Sequence, residues 1–418
     1  MSKIAILMVA VVLIVYGCSS SVRKPTSISS VYSEPKILSS KHLRHRGVLP
    51  LTLVAKEDIP SFTDDMDKES LLEAMGKSIE YYRKIAGEIQ YRIGDSWVGT
   101  EDLQETLVAM QYLLRRDGTD GGIRSLIQEN FDVYLSTGFD ETDSPLFTGY
   151  FEPVLHGSLT QTEKYKYPIY GIPEDAVKVN LTRFGKEFGE KEIIGRIENG
   201  ELFPYYSRSQ IDHQGVLAGR NLEIIWLDDP VDLFFLHIQG SGEIEFDNGD
   251  TRKIGYALKN GRPYKSIGNY MLQTGKVTAG GNIYQRIKRY LKEHLHEHPE
   301  ILGQNESYVF FKFVEEGPLG SIGVVLTPGR SIATDPSAFP PGALAFIETA
   351  KPSLDNDGHI LSRDTFSRFV VCQDTGSAIK GPGRVDLFCG RGVDAEMLAG
   401  SMKAPGKLFL LLKKQVKR

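Results

Sequence analysis

The 418-residue chain is long enough for about two to three domains, and its 41% hydrophobic and 25% charged residues are typical of a globular protein. This composition argues against a collagen-like chain, a wholly disordered chain and a polytopic membrane protein. The 49 Lys and Arg residues against 54 Asp and Glu leave a formal net charge of −5, which provides no basic footprint for nucleic-acid binding.

The first residues predict export and a membrane anchor. Lys3 precedes an apolar run at residues 4–16, which is too short to cross a bilayer core of ~30 Å and is typical of a signal peptide. Residues 15–18 resemble a bacterial lipobox, whose cysteine is lipidated and becomes the mature N-terminus. We therefore predict a lipoprotein signal peptide at residues 1–17 and lipidation of Cys18; an ordinary secretory peptide with an incidental cysteine is the alternative.

A polar segment and then helices are predicted next. Residues 18–48 are rich in Ser, Lys, Arg and His without an apolar period, which is typical of a flexible tether. Apolar residues then recur at helical spacing in residues 72–82 and 103–114, and a third helix is predicted in residues 123–135.

From Pro145 onward, short apolar runs separated by Gly, Pro and Asn-Gly predict a β-rich region. Residues 224–227 and 234–238 are among the predicted strands. A helical period returns at residues 282–298 and is predicted to stop at Pro299. Further strands are predicted at residues 308–314, 323–326, 344–348, 369–373, 385–388 and 408–412.

The cysteine and histidine residues form no strong metal-binding pattern. If Cys18 carries lipid, Cys372 and Cys389 remain, either as a disulfide or as two buried thiols, and two thiols without a matching histidine pair make a zinc site improbable. His294 and His298 are four residues apart, but no glutamate follows the first histidine as a zinc protease requires, so a solvated helix end is expected.

A Gly-rich loop carries the densest set of chemically useful residues. Asp374 and Asp386 flank it and Lys380 lies within it, so a tight loop between two strands could direct all three side chains toward one opening. An apolar wall would then raise the pKa of one carboxyl while Lys380 keeps the other ionised. The alternative is that both aspartates only satisfy backbone groups of the loop. A phosphate-binding loop is excluded because Lys380 precedes Gly381, the reverse of the required order.

Two further segments, residues 148–153 and 237–242, each end a predicted strand in small and polar residues. Their Tyr and Gln side chains suit a sugar, which offers an apolar face to rings and hydroxyls to amides, although each segment alone is more often a simple turn. A serine hydrolase is only weakly supported, since Gln239 and Glu243 replace the glycines that should flank Ser241.

Together these motifs resemble the membrane-bound lytic murein transglycosylase A family. The resemblance runs in order from about Leu49 to Leu412, and five ordered motifs are more specific than any one of them. The residues that carry it are 148–153, 234–242, 255–256 with 260–261, 264–268 and 374–390.

The resemblance implies a mainly β fold with peripheral α-helices. Its C-terminal part would be a three-aspartate domain with marker acids at Asp335, Asp374 and Asp386. A double-psi β-barrel would be assembled from the N-terminal piece and the C-terminal segment, with a second β domain inserted between them and a glycan-binding groove between the two. The implied boundaries are 49–152 for the helical N-terminal part of the barrel domain, 153–263 for the insert and 264–418 for the C-terminal barrel part.

The implied activity is cleavage of the β-1,4 bond between N-acetylmuramic acid and N-acetylglucosamine, with formation of 1,6-anhydromuramoyl ends and Asp386 as acid and base. The residues expected to bind substrate or to provide electrostatic support are Asp374, Lys380, Thr148, Tyr150, Gln239, Ser241, Gly242 and Asp335. No cofactor, metal or nucleic acid is expected. The expected partners are peptidoglycan strands, the periplasmic face of the outer membrane through Cys18, and cell-wall synthesis proteins. A noncatalytic lipoprotein that tethers the outer membrane to the wall is the alternative.

Overall fold

The computed structural model describes residues 51–85, 89–116, 122–138, 144–188, 192–278, 282–355 and 359–415. The predicted signal peptide, the tether and Cys18 lie outside these ranges. Within them, no helix combines the length and the apolar character needed to cross a membrane.

Helices and strands alternate along the described chain. The α-helices are α1 Lys68–Lys84, α2 Thr100–Arg116, α3 Ile123–Asn130, α4 Arg208–Asp212, α5 Pro230–Gln239, α6 Ile267–Gln273, α7 Ile283–Glu293, α8 His298–Leu302 and α9 Gly392–Ser401. Short 3-10 helices occur at Lys56–Asp58, Leu181–Arg183, Lys186–Phe188 and Leu295–Glu297.

The strands up to residue 227 are β1 Leu51–Leu53, β2 Gln90–Ile93, β3 Ser96–Gly99, β4 Phe131–Ser136, β5 Leu146–Glu152, β6 Val154–Ser158, β7 Tyr167–Tyr170, β8 Val177–Asn180, β9 Glu192–Glu198, β10 Glu201–Pro204 and β11 Glu223–Leu227. Those that follow are β12 Ser241–Phe246, β13 Thr251–Lys259, β14 Val309–Val314, β15 Ser331–Ala333, β16 Leu344–Leu354, β17 Ile360–Asp374, β18 Arg384–Arg391, β19 Lys403–Pro405 and β20 Lys407–Lys413. More residues lie in strands than in helices, so the mainly β prediction is confirmed.

The largest sheet has nine strands in the order β1-β4-β20-β16-β17-β15-β18-β5-β19. It joins strands from both ends of the chain, because β4 pairs with β20 and β5 pairs with β18. The β15–β17 and β5–β18 pairs are parallel, whereas β15 and β18 are antiparallel. The double-psi arrangement of these strands stays a prediction.

Helices α1 and α2 cover this sheet with the apolar faces that the periodicity predicted. The Asp67 carboxylate caps α1 by accepting the Ser70 N–H at 2.7 Å. The buried faces contain Leu71, Met75, Ile79 and Tyr82 in α1 and Leu103, Leu107, Met110 and Leu114 in α2, and all eight belong to the main hydrophobic core. The predicted period began at Leu72, which is only partly buried, and Leu71 takes its place. Both predicted helices are confirmed.

A buried polar network fastens α1 to the sheet next to one of the loop aspartates. The Gln373 side chain is fully buried; its amide donates to the Ala74 carbonyl at 2.8 Å and to Ser78 Oγ at 2.9 Å. Its carbonyl accepts the Ser331 hydroxyl at 2.6 Å. Since every polar atom of Gln373 is then satisfied, the end of β17 is rigidly placed before Asp374.

A second set of sheets lies in sequence between the N-terminal and C-terminal strands of the large sheet. It is a six-stranded sheet in the order β14-β13-β12-β6-β11-β7, with a separate three-stranded sheet β10-β9-β8. Strand β14 pairs with β13 through six residue pairs, from Lys253 with Val314 to Lys259 with Val309. Because β14 completes this sheet, we propose that the inserted β domain extends beyond Pro263 to Val314.

Residues 234–238, which the apolar run predicted as a strand, lie in helix α5. The Asp229 carboxylate caps this helix by accepting the Val231 N–H at 2.7 Å, and Pro230 occupies its first turn. Gly240 ends it with φ of 81°, a left-handed conformation that favours glycine. These two end signals outweigh the β propensity of the run between them.

Other predicted boundaries also differ from the structure. The helix predicted at residues 123–135 ends at Asn130, because Phe131 begins β4 between β1 and β20. Pro299 does not end a helix but lies in the first turn of α8. The strand predicted at residues 323–326 is reduced to a single bridge between Val325 and Leu319.

Of the two arrangements considered for the C-terminal cysteines, the structure contains the free-thiol one. Cys372 is buried in β17, Cys389 lies partly exposed in β18, and neither forms a disulfide. Burial raises the pKa of both thiols to about 12, so both stay protonated at neutral pH.

Candidate active site

Asp386 lies on an inner strand of the large sheet, the third from its β19 edge. Its strand, β18, runs between β15 and β5, with Asp386 opposite Ala333 on one side and Thr148 on the other. The Thr148 hydroxyl donates to Asp386 Oδ1 at 2.6 Å, and Arg384 Nη2 donates to the same hydroxyl oxygen at 3.2 Å. The sheet register therefore aligns an arginine, a threonine and a carboxyl in a hydrogen-bonded chain.

The surroundings of Asp386 favour its neutral form. Burial raises its pKa from 3.8 to about 6, and the Thr148 hydrogen bond and the charge of Arg384 only partly oppose that rise. Roughly one carboxyl in ten is then protonated at pH 7. A group with this pKa can donate a proton near neutral pH and take it back.

Asp374 lies at the end of β17 and is held by more hydrogen bonds than Asp386. Its carboxylate accepts the N–H groups of Thr375 at 2.8 Å and Ser321 at 3.0 Å and the Tyr150 hydroxyl at 2.9 Å. Burial nevertheless raises its pKa to about 6, and the charge of Asp386 contributes to the rise. Three donors fix this carboxyl in place, which suits an electrostatic role better than proton transfer.

The expected division into one raised and one ionised carboxyl is not found, since both aspartates have a raised pKa. Lys380, which was to keep one of them ionised, is not among the groups with the largest effects on either carboxyl. The lysine is exposed and lines a neighbouring cleft instead.

Replacing Thr148 by valine should shift the pH dependence of activity to higher pH. The Thr148 hydroxyl stabilises the ionised form of Asp386, so its loss raises the pKa of that carboxyl above about 6. If catalysis requires protonated Asp386, the alkaline limb of the pH profile moves upward. Rates of sacculus digestion between pH 4 and pH 9 measure the shift, with the exposed Thr365→Val on β17 as control. An unchanged or lowered alkaline limb would contradict the assignment.

A cleft of about 370 Å³ begins at Thr375, the residue that follows Asp374. It is lined by Lys259, Gly261, Arg262, Pro263, Tyr264, Thr375, Gly376, Ser377 and Lys380. Burial and, to a smaller extent, the nearby charge of Asp386 raise the pKa of Tyr264, which links this wall of the cleft to the candidate acid. The Gly-rich loop and the turn after β13 thus line the same cleft.

Asp335 holds the Gly-rich loop from beneath. Its side chain is buried, and its carboxylate accepts the Gly381 N–H at 2.6 Å and the Ser337 N–H at 2.9 Å. With both oxygens engaged by backbone groups, we assign Asp335 to loop positioning; its predicted role in substrate binding or electrostatic support stays a prediction.

Of the second predicted motif, residues 237–242, only Gln239 is shown to contact a residue next to the site. Gln239 ends helix α5, and its side-chain carbonyl accepts the Phe151 N–H at 3.2 Å, one residue from Tyr150. Ser241 is half-buried at the start of β12. Gly242 is explained by packing, since a Cβ there would lie 2.7 Å from Leu236 Cδ1.

Glu152 is a titratable residue that the sequence reasoning missed. It is 1% exposed at the end of β5, and its Oε1 has no partner within the described chain. Burial raises its pKa to about 7, opposed by Lys253 and Arg391. Arg391 donates to Glu243 at 2.5 Å, so this cluster joins β18 of the large sheet to β12 of the second sheet. No local sequence pattern reveals this cluster, because Glu152, Glu243 and Arg391 are distant in sequence.

The histidines near residue 296 have structural contacts. The His294 ring stacks on Tyr290 with centroids 4.0 Å apart, and His298 is buried with Nε2 2.9 Å from the Leu291 carbonyl oxygen. The prediction of a fully solvated helix end is therefore wrong for His298. Within the described ranges, no group of three or more His, Cys, Asp or Glu side chains could hold a metal ion.

Two family models match the chain. The MltA specific insert domain matches residues 146–312, and the 3D domain matches residues 330–412. Together they contain Thr148, Tyr150 and Gln239 from one match and Asp374 and Asp386 from the other. The hydrogen bonds described above thus connect residues of both matched regions.

Comparison with known proteins gives the same family. The chain is 31% identical over 294 residues to membrane-bound lytic murein transglycosylase A of Escherichia coli K12, covering 70% of this chain and 72% of the relative. It is 32% identical over 294 residues to the Vibrio cholerae protein of the same name, with the same coverage.

Solved structures agree. The structure of membrane-bound lytic murein transglycosylase from Agrobacterium tumefaciens has a TM-score of 0.71 and 29% identity, covering 87% of this chain and 98% of the other. E. coli MltA with bound chitohexaose has a TM-score of 0.67 and 25% identity, covering 94% and 100%. From these matches together with the site, the chain belongs to the membrane-bound lytic murein transglycosylase A family.

Proposed function

We propose that this protein is a lytic transglycosylase that cleaves the β-1,4 bond between N-acetylmuramic acid and N-acetylglucosamine and leaves 1,6-anhydromuramoyl ends. Asp386 acts as the single acid and base. The observation that carries the proposal is the state of this carboxyl: it is half-buried, has a pKa of about 6, accepts the Thr148 hydroxyl, and its charge is felt by Tyr264 in the cleft lining.

In the first half of the reaction, protonated Asp386 gives its proton to the glycosidic oxygen. The bond between that oxygen and C1 of the muramoyl residue breaks, and positive charge develops at C1, as in other glycosidic cleavages. The negative charges of Asp374 and of newly ionised Asp386 would stabilise this centre. The Tyr150 hydroxyl and two backbone N–H groups keep Asp374 oriented.

In the second half, the C6 hydroxyl of the same muramoyl residue attacks C1 and loses its proton to Asp386. The new C6–O–C1 bond closes the anhydro ring, and Asp386 returns to its protonated form, so no water is consumed. Because nucleophile and electrophile belong to one sugar, effective molarity replaces a positioned water molecule. One carboxyl can therefore serve both halves.

Product analysis of digested sacculi tests the proposed reaction. The protein should release muropeptides with anhydromuramoyl ends, as seen by mass spectrometry. Reducing-end products would instead indicate a hydrolase, and binding without any products would support the noncatalytic tether. The E. coli relative with bound chitohexaose supports glycan binding by this chain.

We further propose that Cys18 carries lipid and holds the enzyme on the periplasmic face of the outer membrane, with cell-wall synthesis proteins as partners. The name of the relatives, membrane-bound, supports membrane association. Cys18→Ala should appear in the soluble fraction and retain activity, since acyl chains on one cysteine provide the anchor. Fractionation of cells decides this: equal recovery of Cys18→Ala and wild type with membranes would contradict lipidation at Cys18.

A further inference from the structure

The cleft lined by Tyr264 and Thr375 is positively charged although the chain as a whole is acidic. Lys259, Arg262 and Lys380 line it, and none of its other lining residues is acidic. The whole chain carries 49 Lys and Arg against 54 Asp and Glu. The lining thus has three cations and no acid, which departs from the overall charge balance; Asp374 and Asp386 are not part of the lining, and Glu306 pairs with Arg262.

These cations are available to a ligand to different degrees. Arg262 Nε donates to the Tyr205 carbonyl at 2.8 Å, and its Nη1 lies 3.5 Å from Glu306, so this side chain is held in place. Lys259 and Lys380 are exposed, and in the described part of the chain neither forms an ion pair. The two lysines come from different elements, one at the end of β13 and the other in the Gly-rich loop.

A neutral glycan does not account for this charge. The pyranose rings of chitin and murein and their N-acetyl groups are uncharged, and sugar recognition relies on aromatic faces and polar hydrogen bonds. Murein differs from chitin in the 3-O-lactyl group of muramic acid, which ends in a carboxylate or continues into a peptide bearing carboxylates. Ammonium groups pair with carboxylates through charge-assisted hydrogen bonds.

We infer that the cleft lined by Lys259 and Lys380 binds the acidic substituent of muramic acid and so favours murein over neutral chitin. This inference rests on the proposed function, because it places a muramoyl residue next to Asp386. The cleft volume of about 370 Å³ lies within the ~300–1,000 Å³ range of small-molecule sites. The Thr375, Ser377 and Tyr264 hydroxyls lining the cleft can hydrogen-bond the amide or carboxylate oxygens of the substituent.

The test measures binding of the full-length protein in detergent, with Asp386→Asn as the parent so that ligands stay intact. Three ligands are compared: glycan strands with stem peptides, strands freed of peptides that keep the lactyl carboxylate, and neutral chitohexaose. Lys259→Gln combined with Lys380→Gln removes the two charges. Lys265→Gln, an exposed lysine outside the cleft lining, is the matched control.

The double lysine variant should bind acidic strands about tenfold more weakly than its parent, the scale of two exposed ion pairs, and chitohexaose within about twofold of it. The loss should shrink at high salt. An equal loss for peptide-bearing and peptide-free strands identifies the lactyl carboxylate as the ligand, and a loss confined to peptide-bearing strands identifies the stem peptide.

Equal weakening of all three ligands, or no weakening of the acidic ones, would overturn the inference and leave the proposed function standing. If the parent protein bound none of the three ligands, the proposed function itself would fail. The Lys265 control should bind all three ligands like its parent; a loss matching that of the double variant would show that general surface charge is responsible and would overturn the cleft assignment.

Discussion

Replacing Asp386 by asparagine should lower turnover at least ~10²-fold, the usual scale of general acid-base catalysis. Asparagine keeps the shape of the side chain but cannot give a proton to the glycosidic oxygen or accept one from the C6 hydroxyl. Both halves of the reaction therefore lose their proton carrier at once. Initial rates on purified sacculi measure the loss, and glycan binding should remain.

Two matched variants separate this effect from a general charge change. Asp374→Asn should lose less activity, because Asp374 acts through its charge and stays fixed by Tyr150 and two backbone groups. Asp364→Asn removes an exposed carboxylate on β17 and should leave the rate unchanged. A loss for Asp364→Asn as large as that for Asp386→Asn would contradict a specific proton-transfer role.

The melting temperature provides a folding control with a defined sign. Since the pKa of Asp386 is raised in the folded protein, its contribution to stability is present below 3.8 and is lost as pH rises through about 6. Asparagine does not ionise, so Asp386→Asn does not lose stability as the pH rises. The melting temperature of the variant should therefore increase relative to that of wild type between pH 4 and pH 8. The buried Asp386 carboxyl therefore lowers the stability of the folded protein at neutral pH, as groups kept for catalysis often do. A variant that melts earlier at pH 8 would indicate damage to the fold.

Replacing Arg330 by methionine should lower the free energy of unfolding by ~3–5 kcal/mol, the usual result of breaking a buried ion pair. The Arg330 side chain is 0% exposed, and its Nη1 donates to Asp64 at 2.6 Å and to the Phe369 carbonyl at 2.8 Å. Nη2 donates to the Asp67 carbonyl at 2.7 Å and Nε to Ser70 Oγ at 3.0 Å. One guanidinium thus joins the start of α1 to the centre of the large sheet.

Urea unfolding of the Arg330 variant measures this loss. Arg363→Met is the matched control, because Arg363 is exposed on β17 and makes a single hydrogen bond of 3.5 Å to the Ser401 carbonyl. Its loss should stay below ~1 kcal/mol. Equal losses for the two arginines would contradict a special role for the buried one.

Periodicity predicted the helices well where one face of a helix is buried. Residues such as Met75 and Leu107 repeat at the helical period because only one face of α1 and of α2 packs against the core. The run at residues 234–238 was interpreted wrongly because α5 is apolar on most faces, with Val231, Phe234 and Leu236 buried. The capping residues Asp229 and Gly240 were present in the sequence and could have corrected it.

Pairing between distant strands could not be predicted from local pattern. Phe131 begins a strand only because β1 and β20 lie on both sides of it, and β20 is some 270 residues later in the chain. The same limit applies to the site. The resemblance identified Asp374 and Asp386 together, but their hydrogen bonds to Tyr150 and Thr148 depend on the parallel β5–β18 pair.

Of the features of the site, the contacts of its charged side chains were the least predictable from the sequence. Lys380 lies in the same loop as both aspartates, yet loop geometry directs it to the cleft rather than to a carboxyl. Arg384 was inside the loop motif but was not selected, because its contact with Thr148 depends on the strand pairing. Glu152 was missed since burial of a carboxyl cannot be inferred from its sequence neighbours.

Digestion of sacculi in water enriched in ¹⁸O tests the central claim most directly. If the C6 hydroxyl of the muramoyl residue captures the centre at C1 and Asp386 transfers the proton, the products carry anhydro ends, are lighter than hydrolysis products by one water, and contain no ¹⁸O at the cleaved end. Products with reducing ends labelled by one ¹⁸O atom would show that water attacks instead, and the mechanism proposed for Asp386 would be wrong.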